Sequence, residues 1–515
     1  MEEVSVVQFI ESIGGFLWGP PMVVTIIFCG IFLSIKAKFF SVRFFKHTFD
    51  YTLGSKARAE RDDRSKGTVT PFEAICVAVG GAVGVGAIGG VAAAIAVGGP
   101  GAVFWMWVWG FFGMSVKMVE VALACYYRSK DERGNYFGGP SYYMQKGLGW
   151  EKGWKIGIVL AVGFGFTFLA NAFSASQIFT ISEAINRSFG VNRILIAALY
   201  TIFILYLVWR GVPGVARFAS KAVPVMCLLY LIGGVILIVV NYERIPWVFE
   251  NIFYHAFTPM SAVGGFAGAG VMTIIRTGVA RSINSNEAGQ GSSPMIHASA
   301  STIHPIRQAL WGGIEVFIDS MVVCTITALA VLCTGVWNSG LTAATLTIAA
   351  FESTFGIIGV YFIGLVTLLF GVTTTTGWFS YYCAIIAHAF EKYPNVKYKA
   401  LFFFKCIFPW PNVIIVALFV QFGYSANLFW AVIDILTVLP TFFNVIAISL
   451  LSGVFVKLLK DYKARYMGIG VVDPSFHLFY EDKLAYEKKM AQKGAPAPAG
   501  KAAQPEGPAE EPIPA

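Results

Sequence analysis

The chain has 515 residues, of which 56% are hydrophobic and 13% charged, with a formal net charge of +9 and a mean hydropathy of +0.67. Soluble domains carry about 25% charged residues, so too few charges are present to cover a water-facing surface, and a soluble globular domain is excluded. The positive balance needs no nucleic acid, because bases placed beside apolar spans face an anionic inner leaflet.

The first uncharged run, FLWGPPMVVTIIFCGIFLSI (16–35), reaches the roughly 20 residues that a helix needs to cross a bilayer core. It is too long for a secretory signal, follows no basic region and has no small-residue cleavage site. Further spans read at 72–97, 102–127, 156–186, 194–209, 222–241, 260–280, 310–335, 357–390, 401–421 and 428–456, about eleven in all. The long stretches 156–186 and 357–390 are expected to tilt or break. Glu2, Glu3 and Glu11 precede the first span, whereas lysines and arginines from Lys36 to Lys66 follow it. Loops 36–71, 128–155, 210–221, 281–309 and 391–400 hold most of the bases, against Arg187, Arg193 and Arg244 on the other side. The positive-inside rule then places the N-terminus outside and the C-terminus in the cytoplasm of a cell (inner) membrane protein. Residues 492–515, rich in Ala and Pro, read as a disordered tail.

The eight cysteines make no C-x-x-C, and the six histidines no H-E-x-x-H. Neither G-x-S-x-G nor a P-loop occurs, so the sequence predicts no enzyme, no transition metal and no organic cofactor. Residues 84–89, GVGAIG, have the spacing of a dinucleotide loop. Such a loop needs a strand before it and an acid about 20 residues on. Its flanks are apolar span, and the first carboxylate downstream is Glu120. Two readings remain for Gly80, Gly81, Gly84, Gly86, Gly89 and Gly90: close helix packing, or an unwound segment facing a cavity. A second glycine-interrupted span, GGFAGAGVM (264–272), favours the latter. Interrupted spans at matching positions of two halves mark a transporter's midplane site. Behind an extra first helix these are spans one and six of ten, which suits a 5+5 inverted repeat: an N-terminal helix and basic loop (1–71), repeats at 72–241 and 260–456, and a tail (457–515).

Four stretches look familiar: GGVAAAIAVGGPGAVFWMWVWGFFGMSVKMVEVALACYYR (89–128), VARSINSNEAGQGSSP (279–294), HPIRQAL with VFIDSMVVCTITAL (304–329), and FGVTTTTGW with SYY (370–382). On them the chain resembles the alanine/glycine:cation symporter family, an all-α membrane family with the leucine-transporter fold. The resemblance implies a small amino acid held between two broken helices, with sodium (or a proton) as the coupling ion. The substrate site is expected at Val85, Gly86, Ala87, Ser174, Ser176, Phe266, Gly268, Gly270 and Trp378, and the cation site at Gly80, Val83, Thr373 and Thr374. Half-helix amides at Val85 and Gly86 suit a carboxylate, and threonine oxygens suit a hard cation. Two of the four threonines in TTTT (373–376) are expected to bond back to their own helix instead.

The sequence departs from the family pattern at three amides: Ala87, Ser174 and Ser176 stand where Asn, Gln and Asn are usual. Losing a buried partner costs about 1–3 kcal/mol, so a roomier, less polar pocket follows, for a small amino acid or another small carboxylate. A sensor of the same fold that binds without transport is the alternative. Lys117 and Glu120 are expected to pair on one helix face, and Glu315, Asp319 and Asp434 to be structural. Arg281, Asn286 and Glu287 are expected in an inner-gate loop. The bilayer is the only surroundings the sequence calls for; no obligatory protein partner is evident.

Overall fold

In lipid a backbone must satisfy its own amides and carbonyls, so the apolar runs fold as helices. The computed structural model describes residues 2–54, 67–174, 176–258, 270–424 and 426–492. Among these, eight helices are long and apolar enough to cross a membrane, and the bent pair Pro71–Ala82 and Gly86–Gly98 forms a ninth. The other expected spans correspond to the shorter apolar helix Arg193–Val208 and to a segment built from Val271–Asn286 and Pro294–Ala298.

Gly101–Tyr126 is the central helix: 83% of its most apolar stretch is buried, against 28% for Gly211–Val240. It packs against Pro305–Val316, Val271–Asn286 and Pro20–Lys36. Gly211–Val240 instead turns Leu228, Ile232 and Val239 outward, as a lipid-facing surface requires. Of the two stretches expected to tilt or break, one breaks: Ile156–Ala170 passes through a tight turn at Asn171–Phe173 before Ser176–Phe189 resumes. Ile357–Ala389 runs unbroken.

The bent span starts at a capping box. Glu73 N donates to Thr70 Oγ1 (3.1 Å) while Thr70 N donates to Glu73 Oε2 (2.9 Å), and Pro71 fills the first helical position, where no amide is needed. Pro71–Ala82 packs against Pro294–Ala298, and Val91–Gly98 against Val271–Asn286, so the two interrupted spans run antiparallel. A parallel bridge pins one end of the pair, with Thr68 N on Ser299 O (2.8 Å) and Ser301 N on Val69 O (2.9 Å).

Candidate functional site

The first interruption falls at Val83–Val85, where the two halves meet at 44°. Val83 has φ −73° and ψ 71°, and Gly84 N reaches back to Ala82 O (2.7 Å). This is an inverse γ-turn, which tips the Val83 carbonyl off the helix axis. The chain then rewinds through a wide turn at Gly86–Gly90. Glycine is required sterically: a Cβ on Gly84 would lie 2.4 Å from Thr374 Oγ1 and 3.3 Å from Gln177 Oε1, and one on Gly81 2.4 Å from the Tyr381 hydroxyl. Hydroxyls from neighbouring helices serve the loosened carbonyls. Thr374 donates to Gly80 O (2.8 Å), Thr327 to Ala87 O (2.9 Å) and Thr347 to Ile88 O (3.0 Å).

A second interruption lies at 287–293, and most of the expected stretch 264–272 lies outside the described residues. Helix Val271–Asn286 ends at Glu287, whose φ of 55° is left-handed, and Gly289 (φ 92°) and Gly291 (φ 80°) keep the chain unwound. Pro294 at a first helical position then restarts the span. Asn286 Oδ1 accepts from Ala288 N (2.9 Å), the side-chain turn that lets Asn end a helix. The block N-E-A-G-Q-G-S-S is therefore the buried counterpart of the first break rather than an inner loop. Phe266 and Gly268 lie outside the described residues. Gly270 is the exposed cap of the 271–286 helix and is not among the residues that line the hollow described next.

A small hollow of about 70 Å³ lies between the two breaks. Val85, Gly86, Ser176, Thr374 and Trp378 line it, together with Arg281, Asn284, Glu287 and Gln290. Ala87 and Val83 are fully buried and lie off the lining, as do Gly80 and Thr373. Ala87 contributes its carbonyl to the adjoining threonine rather than a side chain to the cavity. Ser174 borders a side chamber with Thr375, Tyr382, Phe408 and Asn412, which shares Asn171, Ser176, Gln177 and Trp378 with the main hollow. Trp378 Nε1 donates to Glu287 Oε1 (2.8 Å), and its ring stacks on Phe168 at 5.4 Å. Arg281 bonds Asp434 at 3.3 Å, so neither sits in a free loop.

Three amides of this lining keep a buried atom unpaired: Gln177 Oε1, Asn284 Oδ1 and Gln290 Nε2. An unsatisfied buried polar atom costs about 1–3 kcal/mol, and a ligand carrying both donors and acceptors removes that cost. None of the three is among the residues expected from the sequence. Gln177 follows the two serines that stand in place of family amides, so an amide is retained one residue further along. Its signal was there: it and Asn171 are the only amides between residues 156 and 185.

Oxygens gather beside the first break. Thr374 Oγ1 lies 2.8 Å from Gly80 O and 2.9 Å from Phe370 O, and Thr373 Oγ1 contacts Leu369 O (3.1 Å) and Phe370 O (2.9 Å). Thr376 bonds back to Val372 O and Thr373 O. A cluster of hydroxyl and carbonyl oxygens fits a hard monovalent cation. Thr374 bridges to the broken helix, whereas Thr373 spends its proton within its own helix, as two of the four threonines were expected to.

Buried charge holds the second break. Lys117 Nζ donates to Glu287 O (3.0 Å) and Ser293 Oγ (2.8 Å), and lies 3.5 Å from Glu315 and 3.9 Å from Glu120. Glu120 accepts from Gly289 N (3.1 Å) and from Asn444, and Asn444 also donates to Gly289 O (2.8 Å). Ser292 donates to Glu287 Oε2.

Two antiparallel spans, each unwound at mid-length around a hollow lined by unpaired amides, define a secondary transporter of the leucine-transporter fold. A solved Na+-coupled sialic acid symporter shares that fold, with a TM-score of 0.50 at 13% identity over 87% of this chain and 93% of that one. The sodium:alanine symporter family model matches residues 2–472, and the chain belongs to that family. It is 34% identical to the sodium/alanine symporter AgcS of Methanococcus maripaludis over 88% of this chain and 97% of that one. It is also 34% identical to the probable sodium/glutamine symporter GlnT of Bacillus subtilis, over 93% and 95% respectively. Cation-coupled amino-acid symport across a membrane is accordingly the class of activity.

Proposed function

We propose that this protein carries a small amino acid, alanine or glycine in the first instance, together with sodium across the cell (inner) membrane by alternating access. The observation that carries the reading is the hollow between the two unwound segments, with Gln177, Asn284 and Gln290 each holding one unpaired buried atom. A zwitterion offers the missing groups: its ammonium donates to amide oxygens, and its carboxylate accepts from an amide N–H and from half-helix amides at Val85 and Gly86. Trp378 and Ser176 bound the side-chain end. Thr374, Thr373 and the carbonyls of Gly80 and Val83 hold sodium. Because Thr374 bridges to the broken helix, the ion and the substrate order the same turn, which couples the two reciprocally.

The half made of residues 72–241 then rocks against 260–456. The backbone seam Thr68–Ser299 closes one end of the pathway and Arg281–Asp434 the other. The base-rich loops face the cytoplasm, which puts the N-terminus outside. Labelled alanine and glycine uptake into proteoliposomes tests the reading. Uptake should follow an inward sodium gradient, vanish when sodium is equal on both sides, and fall at least tenfold in Thr374→Ala. Uptake indifferent to sodium would overturn it.

A further inference from the structure

Asp319 is fully buried in a widened turn of its helix, Phe317–Val323, away from the lysine that serves the other buried acids. Its oxygens accept from Ser285 (2.9 Å, on Oδ1) and Ser320 (3.1 Å, on Oδ2), with the Cys324 sulfur at 3.8 Å. Among the described residues no lysine, arginine or histidine forms an ion pair with it. The ionisable groups around it are Glu315, one turn earlier and already 3.5 Å from Lys117, and the thiols of Cys324 and Cys227. A bare carboxylate so deep in a membrane protein is costly and marks a functional position.

The two hydroxyl donors ease this cost only in part, and the rest of the surroundings add negative potential. Ser285 stands in the last turn of helix Val271–Asn286, and a helix C-terminus favours a cation. The serine oxygens keep lone pairs after donating, and Asn286 Nδ2 holds Ser320 Oγ in place at 2.9 Å. Carboxylate and hydroxyl oxygens together form a donor set for a hard cation or a proton. The site also touches both interruptions. Ser285 stands two residues before the unwinding at Glu287, and a Cβ on Gly86 would lie 3.8 Å from Ser285 Cα. Two turns along Asp319's own span, Thr327 bonds Ala87 O in the first break (2.9 Å).

We propose that Asp319, with Ser285 and Ser320, is a second coupling-ion site, distinct from the oxygens of Thr373 and Thr374, that takes one exchangeable positive charge, sodium or a proton. Filling it neutralises the carboxylate, steadies the end of helix Val271–Asn286 and presents Asn284 to the hollow. Emptying it loosens the last turn of that helix around Ser285, while Lys117 and Glu120 keep the break beyond it in place. The inference adds to the symport reading and depends on it for coupling, not for binding.

The test compares wild type with Asp319→Asn, a neutral isostere, and Ser285→Ala, which keeps the carboxylate. Reversal potentials of alanine uptake in proteoliposomes, set by sodium gradients at fixed pH and by pH gradients at fixed sodium, count the charges moved per substrate. Asp319→Asn should move one positive charge fewer. If the ion is sodium, the lost charge disappears from the sodium series; if a proton, from the pH series. Ser285→Ala should keep the wild-type ratio and raise the half-saturating concentration of that same ion about tenfold.

Thermal unfolding in detergent supplies a readout apart from transport. Wild type should gain stability on changing potassium for sodium, or on lowering pH. Asp319→Asn should lack that gain and start from at least wild-type stability in potassium. An unchanged charge ratio in Asp319→Asn, or an Asp319→Asn protein that unfolds well below wild type in potassium, would overturn the proposal by making the carboxylate a structural acceptor. Wild-type vesicles that take up no amino acid, together with an Asp319-dependent stabilisation by ion, would sink the transport reading and leave the site standing.

Discussion

The two interrupted spans solve one problem with opposite chemistry. At Val83–Val85 the loosened backbone is served by neutral threonine hydroxyls from three other helical segments, at 2.8–3.0 Å. At Glu287–Ser293 it is bolted by charge, through the Lys117 ammonium on Glu287 O and the Glu120 carboxylate on Gly289 N. Charge-assisted hydrogen bonds are roughly twice as strong as neutral ones and geometrically stricter. The first break is therefore the turn that can be remade during a cycle, and the second is the fixed jaw. Glycine density follows the same division. The first break needs glycines because Thr374, Gln177 and Tyr381 press against its backbone, and the second because Gly289 and Gly291 take left-handed φ values.

The largest expected effect lies in the fixed jaw. Lys117→Met should destabilise the protein by about 3–5 kcal/mol, because it strands Glu120 and Glu315 in the interior. Thermal unfolding of detergent-purified protein reads this directly, and Lys117→Met with near wild-type stability would end the distinction between the two breaks. Next is Gly84→Ala. The added methyl would meet Thr374 Oγ1 at 2.4 Å, an overpacking cost of about 1–3 kcal/mol. Here uptake should fall more than tenfold while the protein stays folded, which separates a working turn from a structural one.

A smaller loss is expected from Trp378→Phe. This change keeps an aromatic face on Phe168 but removes the donor to Glu287 Oε1, at about 1–2 kcal/mol. The half-saturating amino-acid concentration should rise about tenfold at unchanged sodium affinity, by uptake kinetics. Smallest is Ser174→Ala in the side chamber, where uptake should change less than about twofold, within the ±0.5 kcal/mol typical of sites away from special features.

Much of this architecture is legible in the sequence. The low charge content, the uncharged runs and the crowded glycines of 80–90 placed a broken span where one is found, and Thr374, Ser176 and Trp378 lie along its hollow. The sequence points to a break in GGFAGAGVM because glycine-rich apolar sequence is what an interrupted span looks like when read locally, and most of that stretch lies outside the described residues. N-E-A-G-Q-G-S-S reads as a loop, since several of its polar groups are met by Lys117, Glu120, Asn444 and Trp378, from 91 to 176 positions away. No local pattern carries such partners. Gln177 was overlooked for a similar reason: the expected amide positions hold serines, and the amide that reaches Gly84 sits one residue beyond them.

The central claim is that one hollow between the two breaks is opened alternately to the two sides of the membrane. The most direct measurement places a single cysteine at Gln177, in a cysteine-free background, and labels it with a membrane-impermeant thiol reagent from either side of oriented vesicles. Labelling should switch sides between sodium and potassium media and be blocked by alanine when sodium is present. Labelling from one side only in every medium, or labelling that alanine leaves untouched, would contradict the account.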